Sequence, residues 1–367
     1  MDAKNALILA AIFMLVFSVS GCNNEKVTED TLVGKGITLE FQPGAPPSQI
    51  SEDDVSFDVS VKLDNEGEHD LEPVTYGADG SVKSGDPVSV FLLGVNPNTV
   101  GLCNADGCHT EMEYLDGLTG AHYVNNEVVP GQVNYINWIA FDEDGNEVSP
   151  YYKLDLTSDQ KLKFVAQLCY PYKTLTTAEA CFSDNAYAQA TGAETCSVSG
   201  DKTVSNSEAP VKISKITENP AGKDSEGRGK YSFTFKIQNA MDGTVFPYTK
   251  SVSECTNLKV ADLNANQIAV TGVYVGGIAK PECLKRVGVD DLGNMEYKPA
   301  TVTLIKRDLE GDTESTKDDL WEGTFSCTLT QETGSGDYSD IIQIELAYNY
   351  YVQATKEITV KNTLDFE

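Results

Sequence analysis

A chain of 367 residues with 40% hydrophobic content is long enough for two or three domains with real cores, which excludes intrinsic disorder of the whole. Lys and Arg number 27 against 56 Asp and Glu, and the resulting net charge of −29 repels polyphosphate and argues against nucleic acid as a partner. Three histidines, His69, His109 and His122, leave little material for histidine-based catalysis or a zinc centre.

The chain opens with Lys4 followed by Ala6 to Val19, apolar apart from Ser18, and then Ser20-Gly21-Cys22. A charged start, a short apolar run and a small-residue exit predict a secretion signal over residues 1–21; the alternative is a retained anchor helix. Val19-Ser20-Gly21-Cys22 resembles the lipobox of prokaryotic lipoproteins. That resemblance implies lipidation of the Cys22 thiol, with residues 22–35 as a polar tether.

After the tether, period-two alternation is frequent, turns are rich in Gly, Asp, Asn and Pro, and no long helical pattern occurs, so the chain reads as all-β. Residues 36–196 are expected to form a first β-sandwich domain. Its clearest strand is Val55 to Leu63, with five apolar side chains on one face, followed by Val88 to Leu93, Tyr135 to Phe141 and Lys163 to Tyr170. The polar stretch 197–208 reads as a linker. A second domain, residues 209–367, contains Val211 to Ile216, Tyr231 to Asn239, Ile268 to Val275, Ala300 to Ile305, Thr324 to Leu329, Ile341 to Tyr350 and Glu357 to Val360.

Two landmarks recur. Asn65 and Asn239, each ending an alternating strand, are offset by 174 positions, and Tyr170-Pro-Tyr172 and Tyr348-Asn-Tyr350 by 178. The agreement implies a degenerate tandem repeat of two related sandwiches.

Eight cysteines follow Cys22: Cys103, Cys108, Cys169, Cys181, Cys196, Cys255, Cys283 and Cys327. An even set in an exported chain reads as disulfides, and no Cys-x-x-Cys supports a metal site. Asp106-Gly107 can make the turn that closes Cys103 on Cys108, and Cys169 with Cys181 is the next expected pair. The other pairings stay open.

Leu39-Glu40-Phe41 with Pro46-Pro47, Val55 to Asn65, Cys169-Tyr-Pro-Tyr-Lys-Thr174 with Cys181, Ala209 to Ile213, Phe233 to Asn239 and Gly243-Thr-Val-Phe246 resemble a group of secreted archaeal surface proteins. Those proteins are similar to CARDB-type and other immunoglobulin-like adhesion modules. The resemblance implies two tandem immunoglobulin-like β-sandwiches after the signal or anchor helix. It carries no catalytic motif.

Ser158-Asp-Gln-Lys161 matches Ser-x-x-Lys without its companion motifs, and Cys108-His109 is better used in a disulfide. Asp142, Asp144 and Asn146 resemble the start of a calcium loop, but Glu147 replaces the required glycine and Lys153 the bidentate glutamate, so a hairpin turn is the economical reading. Asp64 to Asp70 and Asp308 to Asp319 are further acidic clusters. Tyr135, Trp138 and Phe141, with Tyr348, Tyr350 and Tyr351, could stack sugars if exposed, though such residues more often form strand faces. A hydrolase would require facing carboxylates in a cleft, one with a raised pKa.

The expectation is a non-enzymatic cell-surface structural, adhesion or recognition protein, without cofactor or catalytic residue, held to the membrane by an N-terminal lipid or retained signal. It would be exposed outside the cell to an envelope protein or glycan. The alternatives are an extracellular lipoprotein capturing a saccharide, peptide or cation, and a subunit of a surface filament.

Overall fold

Alternating apolar and polar residues make strands with one dry face, and two of these strands run much further than their apolar runs alone predict. The computed structural model describes residues 32–52, 56–78, 82–125, 127–142, 144–183, 196–257, 266–289, 295–307, 320–332 and 336–363; the predicted signal, Cys22 and the Asp308–Asp319 cluster lie outside them. Lys163 to Tyr170 is part of a 23-residue strand, Gln160–Phe182. The separately predicted Ile341–Tyr350 and Glu357–Val360 merge into a 24-residue strand, Tyr338–Lys361. The two long strands pair antiparallel along their length, from Gln160 opposite Val360 to Phe182 opposite Tyr338.

Phe164, Ala166, Leu168, Tyr170 and Tyr172 of the first long strand and Ile342, Ile344, Leu346, Tyr348 and Tyr350 of the second are buried on the same face. Pro171 interrupts the sequence pattern but not the strand. The outward groups on this strand are those of odd-numbered residues, as Leu175 shows by exchanging bonds with Ser207. The N–H that proline lacks would therefore have pointed away from the paired strand.

These two strands form the middle of a ten-stranded sheet. Beyond the first lie Val88–Leu93, paired at 165–169, and Val204–Asn206, paired at 176–178. Beyond the second lie Gln267–Val275, Thr244–Phe246 and the parallel strand Gln49–Ser51. Two smaller sheets complete the layers. One joins Ile37–Phe41, Ser60–Asn65 and Val133–Asn137; the other is five-stranded and centres on Val211–Lys223, Gly229–Asn239 and Leu320–Gln331. Ile37, Val61 and Leu63 of one, and Ile213, Phe233, Phe235 and Ile237 of the other, join the long strands in one continuous hydrophobic core.

Residues 33–367 thus form one compact unit, all-β with open sheets packed as in a sandwich. The stretch 197–208, expected as a linker, carries the strands Gly200–Lys202 and Val204–Asn206, which pair with Val211–Lys223 and with the first long strand. The early strand also differs from its pattern, beginning at Ser60; Phe57 and Val59 are buried but bond to Pro150 and Trp138 outside the ladder.

Disulfides join Cys103 to Cys108, Cys169 to Cys255, Cys181 to Cys196 and Cys283 to Cys327. The first is the expected pair. The expected Cys169–Cys181 bridge is overturned because both residues lie on one uninterrupted strand. At the usual rise per residue they are about 40 Å apart, far beyond disulfide reach.

The repeat seen in the sequence has a geometric meaning. Tyr170 lies opposite Tyr350, Tyr172 opposite Tyr348, and Pro171 opposite Asn349, so the equivalent segments are related by a local pseudo-twofold axis between Pro171 and Asn349. All four tyrosines are at most 1% exposed, and each hydroxyl is satisfied. Tyr172 donates to Asn65 Oδ1 at 3.2 Å, and Tyr350 donates to Asn239 Oδ1 at 2.9 Å. The amide groups of the two asparagines donate in turn to the carbonyls of His69 and Gly243, four residues on in each case. Tyr170 and Tyr348 accept from the N–H groups of Ile37 and Val211. Burial pushes all four phenols well above their usual pKa, keeping them neutral donors.

Two outcomes follow from this arrangement. Tyr172→Phe strands the fully buried Asn65 Oδ1 and should cost about 1–3 kcal/mol in urea unfolding, whereas Tyr350→Phe should cost less, because Asn239 is half-buried and its Oδ1 keeps the Met241 N–H. Mild dithiol reduction without denaturant should open Cys103–Cys108 first, since Cys108 is exposed while Cys169, Cys181, Cys255, Cys283 and Cys327 are buried. Alkylation and peptide mass mapping should show labels at 103 and 108 before any other cysteine.

Candidate functional site: a recessed strand edge

Among the described residues, the polar and aromatic side chains singled out in the sequence do not converge. Asp142 is occupied within its own hairpin turn: its carboxylate accepts from the backbone N–H groups of Asp144 and Asn146 and from the Asn146 amide. These hydrogen bonds hold the Asp142 carboxyl below the usual range. Among the described residues no group of His, Cys, Asp and Glu is arranged to hold a metal ion. His69 packs edge-on against Tyr172, with burial lowering its pKa; His109 lies on Phe141 and reaches Asn104, next to the Cys103–Cys108 bridge.

The aromatic platform is dispersed as well. Tyr348 and Tyr350 are core residues, Trp138 is buried with its indole N–H on Thr110, and Tyr351 leans on Phe246 across the opposite face of the sheet. Tyr135 is exposed. Burial raises the carboxyl pKa of Glu111, with Glu113 adding to it, and that of Glu218. Glu218 is tied to Lys202 at 2.7 Å and to the Cys181 N–H at 3.1 Å.

The most distinctive surface is made of backbone. The first long strand occupies one edge of the second along its length, so every other partner of Tyr338–Lys361 must lie on the opposite edge. Gln267–Val275 pairs there up to Ala347, Thr244–Phe246 covers 349–351, and Gln49–Ser51 covers 359–361. Between the last two, no strand among the described residues pairs with 352–358 on this edge. At about 3.3 Å per residue this is a recess about 23 Å long.

The direction of its polar groups follows from its ends. Thr359 donates its N–H to Ser48 on this edge, and Lys361 accepts there from Glu52. Because strand polar groups alternate in side, the N–H and C=O of Gln353, Thr355 and Glu357 point into the recess. All three residues are exposed. Val352, Ala354 and Lys356 turn their side chains toward the core face and are half-buried. At the Val352 end the recess opens into a cleft of about 340 Å³ lined by Val33, Gly34, Met241, Gly243 and Val352. Gly34 anchors that wall by donating to the Ala240 carbonyl at 2.7 Å.

The far end is braced by carboxylates. Glu52 accepts from the backbone N–H and hydroxyl of Thr363 and from the Leu156 N–H. Asp159 accepts from the Asn362 N–H and pairs with Lys361. Such an edge can do one thing well: it offers alternating donors and acceptors to an extended main chain. Apolar periodicity cannot reveal it; the repeat could have, since it aligns 352–358 with a stretch of the first long strand that does carry a partner.

The brace sets a pH dependence. Hydrogen bonds from Thr363 and from Lys361 hold the Glu52 and Asp159 carboxyls below their usual range. A lowered carboxylate pKa gives stability that is present above the unfolded value and lost as pH falls through the folded one. Exchange protection at the Asn362 and Thr363 amides should therefore be flat from pH 7 to about 5 and collapse below about 4, as read by hydrogen exchange corrected for intrinsic rates. No family model, curated protein or solved structure matches this chain.

Proposed function

We propose that this is an exported, membrane-anchored protein that works outside the cell by recognition or adhesion, with its anchor at Cys22 and its β scaffold facing an envelope protein or glycan. The observation that carries the reading is the disulfide set. All eight cysteines after Cys22 are paired, and such a set persists in oxidising compartments. The apolar run before Cys22 supports export, and the net charge of −29 suits an outward, non-aggregating surface that avoids nucleic acid.

The two halves are read as related immunoglobulin-like sandwiches fused along their long strands, akin to the CARDB-type surface modules. The repeated Tyr172–Asn65 and Tyr350–Asn239 bonds support common descent of the halves. Among ligands, a peptide is favoured over a saccharide, because the recess offers main-chain groups while the aromatic residues are scattered or buried.

Intact mass of protein extracted from its native membrane tests the reading. A chain beginning at Cys22 with added lipid, and eight cysteines alkylated only after reduction, is the expected result. Retained residues 1–21 without lipid would replace the lipid anchor by a span. Free thiols among the eight would overturn the extracellular assignment.

A further inference from the structure

The pseudo-twofold axis makes each long strand a guide to the other, and at one place the two differ. On the first, Thr176, Thr177 and Ala178 carry the short strand Val204–Asn206, antiparallel, with Asn206 opposite Thr176 and Ser205 opposite Thr177. Ser207 then satisfies both outward groups of Leu175. The offset that equates Tyr170 with Tyr348 takes Leu175, Thr176, Thr177 and Ala178 to Gln353, Ala354, Thr355 and Lys356, the centre of the recess.

A second layer of the match concerns Asn206. Its side chain accepts from the Ile213 N–H at 2.9 Å, donates to the Ile213 carbonyl at 3.0 Å, and accepts from the Thr176 hydroxyl at 2.7 Å. It thereby zips the short strand to the covering sheet. The counterpart of Ile213, through the equivalence of Val211 with Ile37, is Leu39, whose strand pairs on one side only, with Ser60–Asn65.

We propose that the recess captures a single extended segment of another polypeptide, antiparallel to Tyr338–Lys361, just as Val204–Asn206 lies on the first long strand. The segment hydrogen-bonds to Gln353 and Thr355, carries a small polar residue opposite Thr355 and an asparagine opposite Ala354, and sends the residues that follow toward the cleft at Val352. Geometry selects a lone strand. Thr244–Phe246 and Gln49–Ser51 stand one strand width, about 4.8 Å, beyond the floor of the recess at either end. A flat sheet edge, such as the same edge of a second copy, cannot reach the floor, whereas a loop or terminus can. The biological sense of this capture rests on the recognition reading above, but its chemistry does not depend on the compartment.

The test uses the full chain and a synthetic peptide with the sequence of residues 202–208, the segment that fills the equivalent place. At a peptide concentration ten times its Kd, exchange at the Gln353 and Thr355 amides should slow about tenfold. A peptide N-methylated at the position of Ser205, which removes the donor facing Thr355, should give no protection. Thr355→Pro deletes an outward N–H outside the ladder to the first long strand, so it should abolish the response while the melting temperature stays close to that of the parent. Equal protection by a scrambled peptide, or none by the authentic one, would overturn the proposal. Protection of Gln353 and Thr355 before any peptide is added would overturn it too, since the edge would then be filled by the protein's own chain or a second copy. These outcomes are independent of the intact-mass result, so failure of the capture site and failure of the surface assignment can be told apart.

Discussion

The antiparallel ladder between Gln160–Phe182 and Tyr338–Lys361 is the contact on which the molecule is assembled. It creates one broad dry face wide enough for two covering sheets, and it brings four tyrosines side by side where no water can reach them. A buried hydroxyl costs free energy unless it finds a partner, and those partners lie in the covering sheets. Asn65, Ile37, Asn239 and Val211 therefore fix where each cover sits above the long strands. Packing supplies the attraction, and the phenol bonds set its register.

This explains why some of the fold could be read directly and some could not. Tyr231 to Asn239 alternates cleanly because one face is dry and the other wet, and its predicted bounds differ from those of the strand only at the start. Asn65 and Asn239 were visible as repeat landmarks through their position before a turn, while their bonds to tyrosines depend on strands more than a hundred residues away. The apolar pattern of the long strands is broken by Pro171, by Lys173 on the outer face, and by Lys356, a cation on the core side that reaches the Gln42 carbonyl. Once half of each strand's side chains may face solvent, length is set by the neighbour and not by the apolar run.

The disulfides show the same division. Cys103–Cys108 was legible because a local turn closes it. Cys169 and Cys181 were close in sequence and plausible as a loop, yet their strand is continuous, and each turned to a partner supplied by another segment. The candidate site lies furthest from local pattern of all, because it consists of the main-chain groups that a particular set of neighbours leaves uncovered. Its clearest trace in the sequence is the repeat itself, read as a comparison between halves.

One bridge differs from the others in what it spans. Cys103–Cys108 and Cys181–Cys196 close within the first half and Cys283–Cys327 within the second, but Cys169–Cys255 joins the first long strand to the 3-10 segment Val252–Asn257 of the second half. A protease that cuts the main chain between the two halves would consequently release nothing: the fragments would still migrate as one molecule until reduced. The scaffold thus tolerates a nick between its halves, and separating them takes both a cut and a reductant.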